Sequence, residues 1–249
     1  MTPTPPDNLS PLGRTLVWEP ALAGAGTGEA PADWRDRAAA ARRSRTDLEY
    51  LTPAELVERA RGLLPLLAEI AAGAGALDVS GSAAGAAGLW GLSRLAVRSA
   101  DLPLYFDGGV PGILERLDGS PSSDAKEFLD AFDTFLYEHG ALGPGPWDIA
   151  AEVWETSPEL ALTEIDRLRA LPDGEAPGAV VTPSPAEGAA RLVNEIRVCL
   201  REVGRQMADA HHIGAAALVM QLTADELDDF VAHPETWGLK LAARGSEPR

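Results

Sequence analysis

Apolar side chains return every three to four positions through three long segments, 53–72, 123–139 and 185–210. This spacing is the period of an α-helix, in which positions i, i+3, i+4 and i+7 lie on one face. Nowhere does the chain show the strict alternation of apolar and polar residues that is typical of a half-buried strand. The pattern therefore predicts an all-α fold, a bundle of several helices joined by loops rich in proline and glycine.

The segment 123–139 has the most informative face. At about 100° per residue, one stripe contains Phe128, Phe132, Phe135, Leu136 and His139. An imidazole in an apolar stripe is either a buried side chain with a structural role or a general base held in an apolar site. Tyr137 points roughly the opposite way, and Asp133 lies at the edge of the stripe, where its carboxylate reaches either a cavity or water.

Helix starts are marked by capping signals. Capping boxes, in which Ser or Thr precedes Glu by three residues, occur at 52–55, 184–187 and 223–226. Ser157-Pro158 predicts another start, because proline suits the first helical position, and Ser122 or Ser123 is expected to cap the 123–139 helix. A further helix is predicted over about 81–99. Pro65 is expected to kink the 53–72 helix, because its ring removes one backbone donor.

Proline and glycine mark the breaks between these helices. Residues 1–32 are rich in both and predict an extended arm laid over the domain, with disorder as the alternative. Residues 33–249 are predicted to form the helical domain. The proline-rich segment 172–184 has few apolar residues and predicts a weak subdivision within that domain.

Composition narrows the function. The chain has 249 residues and a formal net charge of −17, and this acidity disfavours nucleic acid or an anionic membrane as a partner. The arginines between 35 and 45 are an exception to this acidity. They either bind an anionic group or a partner, or they form a solvated helix face. Cys199 is the only cysteine, so we expect no internal disulfide and a reducing, cytoplasmic location. No apolar run approaches the length of a membrane span, and the N-terminus lacks the features of a secretion signal.

No cofactor or metal site is predicted. Asn194, Val198 and Glu202 have the spacing of a magnesium motif, but the middle residue is not a ligand. All three point away from the apolar face of the 185–210 helix, so we expect a solvated surface there. The acidic residues between 225 and 229 lie in the first turn of a helix, where the macrodipole favours negative charge. The chain also lacks a phosphate-binding loop and a dinucleotide fingerprint.

Several motifs follow one another in a recognisable order. They are Asn8-Leu9-Ser10-Pro11-Leu12, the run from Phe135 to Gly140, Gly143-Pro144-Gly145, Trp147-Asp148-Ile149-Ala150 and the stretch from Leu222 to Leu227. Together they resemble the helical region of the phosphoenolpyruvate-utilising phosphotransferases, of the rifampicin phosphotransferase and phosphoenolpyruvate synthase type. The resemblance implies a helical domain with a hydrophobic pocket for a small molecule.

The departures from that family limit what the resemblance implies. In such enzymes an ATP-binding domain precedes this region, and a domain with a phosphoryl-carrying histidine follows it. The chain is too short to hold either, so we expect no phosphotransfer by this chain alone. Ala141-Leu142 stands where the family has His-Arg, and Pro146 stands where it has Glu, so polar groups of that loop are replaced by apolar ones.

Three functions are consistent with the resemblance. The first is a cofactor-independent cyclase, lyase or isomerase of bacterial specialised metabolism that acts on a hydrophobic polyketide- or terpenoid-like substrate. The second is a protein that sequesters such a compound without changing it. The third is the substrate-binding subunit of a split phosphotransferase. A homodimer or a partner subunit is compatible with each of them.

The predicted site draws on several segments. Proton transfer is assigned to Asp133, Tyr137, His139 and Asp148. Substrate contacts are assigned to Tyr105, Phe106, Asp107, Phe132, Trp147, Trp154 and Arg197. Residues 101–112 are predicted to form a loop because their prolines and glycines disfavour a helix. Aromatic residues on such a loop either plug the core or form the wall of a pocket.

Overall fold

Helices provide all the regular secondary structure in the computed structural model, which describes residues 5–45, 47–74, 83–173 and 184–245. No strand occurs in these ranges, so the predicted all-α fold is confirmed. Within the same ranges, no helix has both the length and the apolar character needed to cross a membrane.

The chain begins with a wide helix, Gly13–Leu22, after which the Ala23 N–H donates to the carbonyl of Trp18, five residues back. The α-helices that follow are α1 (Trp34–Arg43), α2 (Pro53–Gly62), α3 (Leu64–Ala72), α4 (Ala83–Arg98), α5 (Leu102–Asp107), α6 (Ile113–Asp118), α7 (Ser123–His139), α8 (Pro158–Arg169), α9 (Pro185–Asp209), α10 (Ala224–Ala232) and α11 (Gly238–Gly245). Short 3₁₀ turns are Leu48–Tyr50, Ala216–Gln221 and Pro234–Thr236.

The helices form two compact units. Unit 1 contains the Gly13–Leu22 helix, α1 to α3, α9 to α11 and the segment Pro146–Ala151, and unit 2 contains α4 to α8. Of the described residues in the predicted 172–184 linker, Asp173 belongs to unit 2 and Ser184 to unit 1. Residues 174–183 of that linker lie outside the described part of the chain.

The segment predicted as an extended arm is helical over Gly13–Leu22. Leu12, Val17 and Leu22 have no exposed surface, so the segment contributes to the core of unit 1. Pro20 suggested an extended backbone, but it lies inside this wide helix. Burial of the apolar side chains outweighs the loss of one backbone donor.

Two of the predicted helices have the predicted bounds to within one residue: α7 spans Ser123–His139 and α9 spans Pro185–Asp209. The predicted 53–72 helix is instead two helices, because α2 ends at Gly62 and Pro65 lies in the first turn of α3. The kink expected at Pro65 is therefore a complete break.

The loop predicted over 101–112 is wrong in its first half, which forms α5. Pro103 lies in the first turn of that helix, where no backbone N–H is needed. Phe106 on α5 is 2% exposed, and its ring packs edge-on against Phe128 with the centroids 5.7 Å apart. Of the two alternatives for the aromatic residues of this segment, Phe106 therefore plugs the core of unit 2.

The predicted capping boxes have different outcomes. At Thr52 the box is confirmed, because the Glu55 N–H donates to Thr52 Oγ1 at 3.3 Å and the Thr52 N–H donates to Glu55 Oε2 at 2.7 Å. At Ser184 the prediction is wrong, because its side chain makes no capping hydrogen bond and Glu187 is buried. The Ser122 side chain does not cap α7 either; its hydroxyl donates to Asp101 at 3.0 Å.

Helix α9 is the centre of unit 1, because α1, α2, α3 and the turn Ala216–Gln221 all pack against it. These neighbours bury polar as well as apolar side chains, and Asn194, Glu195 and Arg197 are at most 1% exposed. The solvated surface predicted for the Asn194, Val198 and Glu202 positions is therefore wrong at Asn194. Its Oδ1 accepts a hydrogen bond from Arg197 at 2.7 Å.

Stability is expected to depend on pH where α10 meets α11. Arg244 donates two hydrogen bonds of 2.7 Å to the Glu226 carboxylate, and the Thr223 N–H donates a third at 3.0 Å. These bonds, chiefly those from Arg244, lower the pKa of Glu226 from 4.5 to about 2. Because the pKa is lower in the folded state, the stabilisation is complete above about pH 4.5 and is lost as the pH falls towards 2.

Glu226→Gln should remove this part of the pH dependence. Between about pH 6 and about pH 3, the free energy of unfolding of the wild type is expected to fall by about 1 kcal/mol more than that of the variant, a figure reduced for partial exposure to solvent. Urea unfolding at the two pH values measures the difference. Equal losses in the two proteins would contradict the assignment.

Candidate functional site

A row of aromatic side chains runs along α7 in unit 2. The ring centroids of Phe128, Phe132 and Phe135 follow one another at 6.0 and 6.3 Å, and neighbouring rings are close to parallel. Phe135 also contacts Trp154, with the centroids 5.3 Å apart, and His139, at 5.6 Å. The apolar stripe predicted for this helix is confirmed, and an imidazole stands at its end.

Beside this end of the row, α4 and α7 leave an open groove of about 280 Å³. Its apolar lining consists of Gly88, Gly91, Leu92, Leu95, Ala131 and Phe135. Its polar lining consists of Thr134, Glu138 and His139, all from the last two turns of α7. The groove thus combines an apolar wall with one polar edge, as small-molecule sites commonly do.

Two glycines of α4 shape the groove in different ways. A Cβ atom on Gly88 would lie 2.7 Å from Phe135 Cδ2, so this glycine allows α4 to lie close to the aromatic row. A Cβ atom on Gly91 would meet no atom within 4 Å. The first glycine is needed for packing, whereas the second leaves space that a ligand can occupy.

The polar edge carries the groups that can take part in acid–base chemistry. The His139 side chain is 18% exposed, and its Nε2 lies 3.8 Å from Glu138 Oε2. The Thr134 hydroxyl donates to the carbonyl of Asp130 at 2.9 Å, so towards a ligand this hydroxyl offers its oxygen as an acceptor. An imidazole beside a carboxylate can take a proton from a bound molecule or return one.

Other predicted site residues of unit 2 lie outside the groove lining. Asp133 and Tyr137 are exposed side chains of α7. The Tyr105 hydroxyl donates to Ser120 at 2.6 Å, and the exposed Asp107 carboxylate lies 3.4 Å from Arg169. Their assigned roles in proton transfer and substrate binding stay predictions.

Three predicted site residues, Trp147, Asp148 and Arg197, belong to unit 1. Asp148 accepts a hydrogen bond of 2.6 Å from the hydroxyl of Ser10. The buried guanidinium of Arg197 donates to the carbonyls of Pro146 and Asp148, at 3.1 Å each. Trp147 is 7% exposed. These contacts hold the segment 146–151 within unit 1, and the assigned functional roles of the three residues stay predictions.

The α4 residues that line the groove were not among the predicted site residues. A signal was present, because Gly85, Gly88 and Gly91 recur every three residues and so lie along one side of a helix. Small residues there indicate that a neighbouring helix comes close. The sequence does not show that Phe135 packs against Gly88 and leaves the space beside Gly91 empty.

A second groove, of about 720 Å³, lies in unit 1 between α2 and α10. Val57 and Val231 contribute to its apolar wall, and Arg61 and Asp228 form an ion pair of 2.6 Å at its edge. Gly62 also lines it, and a Cβ atom there would meet nothing within 4 Å. This groove contains none of the predicted site residues.

Some of the charged side chains that the sequence singled out form ion pairs or hydrogen bonds within the chain. Of the arginines between 35 and 45, Arg37 binds Glu69 and Arg45 binds Glu195. In the acidic run at the start of α10, Asp229 accepts hydrogen bonds that lower its pKa, chiefly from Trp237. Among the residues that the structure describes, no group of three or more His, Cys, Asp or Glu side chains is placed to hold a metal ion.

The chain matches the model of a known protein family. The family model described as the rifampicin phosphotransferase fourth domain matches residues 54–210. This range includes all of the α4–α7 groove, whereas α10, which forms one side of the second groove, lies beyond it. No curated protein and no solved structure gives a significant match.

Proposed function

Since the chain belongs to the family of the rifampicin phosphotransferase fourth domain, we propose that it is a substrate-binding domain that holds the apolar part of a small molecule in the α4–α7 groove. The groove lies within one unit and within the residues that the family model matches. The observation that carries the proposal is a groove whose apolar wall at Gly91 and Phe135 lies beside a polar edge at Glu138 and His139.

The volume of the groove limits what it covers. About 280 Å³ is close to the lower end of the range for ligand pockets, roughly 300–1,000 Å³. A cavity of about 150 Å³ is enough for a benzene molecule. The groove therefore suits one ring or a short branched chain, and a large polyketide would extend beyond it into solvent.

Phosphoryl transfer, where it occurs, would be carried out by other domains that act on the molecule held here. This is the split phosphotransferase arrangement, in which one polypeptide binds the substrate and others supply ATP binding and the phosphoryl-carrying histidine. Among the predicted site residues, this proposal uses His139 at the groove, with Phe132 and Trp154 in contact with Phe135 behind it.

Gly91→Leu is expected to abolish binding in the groove. The new side chain would occupy the space beside Gly91, where a Cβ atom would meet no other atom within 4 Å. The fold should persist, because glycine inside a helix costs up to about 1 kcal/mol relative to residues such as leucine. Benzyl alcohol is a suitable probe, and its binding can be followed by the shift of the His139 ring signals in NMR spectra.

Gly62→Leu is the matched control, since it places the same side chain in the second groove. We expect benzyl alcohol to shift the His139 signals in the wild type and in Gly62→Leu, but not in Gly91→Leu. If the His139 signals still shift in Gly91→Leu, the ligand does not occupy the space beside Gly91, and the assignment of the site to the α4–α7 groove is wrong. If benzyl alcohol leaves the spectrum of the wild type unchanged up to its solubility limit, the proposed function fails.

A cofactor-independent lyase or isomerase is the second candidate, favoured by the imidazole at the edge of the groove. On this proposal, His139 takes a proton from a carbon of the bound substrate, and the nearby Glu138 stabilises the resulting imidazolium. The electron pair then forms a double bond as a leaving group departs in a lyase, or the imidazolium returns the proton to another carbon in an isomerase. Liquid chromatography coupled to mass spectrometry of the compound that copurifies with wild-type and His139→Gln protein tests it, because the chromatographic step also separates isomers of equal mass. Product in the wild type and unconverted substrate in the variant would support catalysis, and the same compound in both would exclude this role.

A further inference from the structure

The polar groups of the groove are mainly hydrogen-bond acceptors. Glu138 contributes a carboxylate that is 58% exposed, and Thr134 contributes a hydroxyl oxygen whose proton is already donated to Asp130. Among the described residues that line the groove, none is a lysine or an arginine. A ligand that enters therefore meets groups that accept hydrogen bonds, together with an imidazole that can accept in one tautomer.

The charged side chains of the two helices that form the groove differ in sign. On α7 the exposed side chains of Asp130 and Asp133 are acidic, whereas the charged side chains of α4, Arg94 and Arg98, are basic. Arg94 is buried and donates to the carbonyls of Leu168 and Leu171, and neither arginine lines the groove. The Glu138 carboxylate, which lines the groove, therefore favours a positively charged group at the polar edge and disfavours a carboxylate or phosphate there.

We propose that the α4–α7 groove selects a cationic amphiphile, an apolar group of about one ring with an ammonium group that binds beside Glu138. This inference rests on the proposed function, because it names the class of ligand for the same site. The ammonium would donate to the Glu138 carboxylate and to Thr134 Oγ1, while the ring would lie against Leu92 and Phe135. An anionic ligand of the same shape would place its negative charge next to the Glu138 carboxylate and would be repelled.

Three probes of nearly equal shape test the inference: benzylamine, benzyl alcohol and benzoate. By NMR titration of the wild type at low salt, benzylamine is expected to bind at least about threefold more tightly than benzyl alcohol, the range for a partly exposed ion pair. Benzoate is expected to bind more weakly than either. Raising the salt concentration should reduce the advantage of benzylamine, because salt screens exposed charges.

Two variants locate the effect. Glu138→Gln is expected to bring the affinity ratio of benzylamine to benzyl alcohol close to one. Glu127→Gln removes an exposed carboxylate of the same helix that does not line the groove, and it should leave that ratio unchanged. If both variants lower the ratio equally, the preference comes from the overall charge of α7 and the assignment to Glu138 is wrong.

The outcomes separate this inference from the proposed function. If all three probes bind the wild type with equal affinity and Gly91→Leu blocks them, the groove is a ligand site but does not select cations. If benzoate binds best, the charge argument is overturned. If none of the probes binds, the proposed function itself fails.

Discussion

Arg197→Met is expected to lower the free energy of unfolding of unit 1 by about 4 kcal/mol. The guanidinium is fully buried and donates to Asn194 and to the carbonyls of Pro146 and Asp148. Methionine fills similar space but donates nothing, so these acceptors lose their donor. Each buried polar group left without a partner costs about 1–3 kcal/mol, and some relaxation of the 146–151 segment reduces the sum.

Arg205→Met is the matched control for Arg197→Met, because it makes the same change on the same helix at an exposed position. Arg205 pairs with Glu202 and Asp209 on the surface of α9. Exposed ion pairs of this kind contribute little, so the urea midpoint of Arg205→Met should stay close to that of the wild type. Urea unfolding followed by far-UV circular dichroism measures both variants. Similar midpoints for the two variants would show that Arg197 is not a structural anchor.

Arg197 also shows where the sequence pattern stops being informative. Helical periodicity gave the bounds of α7 and α9, because a helix is specified mainly by residues close together in the chain. The same periodicity assigned Asn194 to a solvated surface. Neighbouring elements cover several faces of α9, and a pattern within one helix cannot show how many neighbours it has. The burial of polar side chains in the middle of α9 could therefore not be predicted from the sequence.

The N-terminal segment and the groove were missed for related physical reasons. Prolines and glycines at the start of the chain predicted an extended arm, yet Leu12 and Leu22 are buried, since apolar burial can outweigh local preference. The glycine spacing of α4 was visible, but the meaning of Gly88 and Gly91 depends on Phe135, far away in sequence. Only His139, on the predicted stripe of α7, was predicted as a site residue and lines the groove.

Breaking the Arg45–Glu195 pair is expected to have an effect of similar size. The Glu195 carboxylate, whose side chain is 2% exposed, accepts two hydrogen bonds from Arg45, at 2.9 and 2.5 Å. Removing one partner of a buried pair leaves a charge without compensation, which costs about 3–5 kcal/mol. We expect Arg45→Met to be the more damaging single change, because the Arg45 side chain is 24% exposed and can regain water when Glu195 is replaced.

The double variant Arg45→Met/Glu195→Met separates the interaction energy of the pair from the cost of replacing each side chain alone. Buried ion pairs replaced together by apolar side chains often lose little stability, so the double variant should be more stable than Arg45→Met alone. In a double-mutant cycle measured by urea unfolding, this appears as a coupling energy of at least about 2 kcal/mol.

The Arg37–Glu69 pair provides the control for this cycle. It also has two hydrogen bonds, at 2.7 and 2.6 Å, which Arg37 on α1 donates from its two Nη atoms to Glu69 on α3, whereas Arg45 donates from Nε and Nη2. Its side chains are 35% and 48% exposed, so the corresponding Arg37→Met/Glu69→Met cycle should give a coupling energy close to zero. Because both pairs have two hydrogen bonds and differ strongly in burial, equal coupling energies would mean that the enclosure of Glu195 by α9 and its neighbours does not strengthen its bond to Arg45.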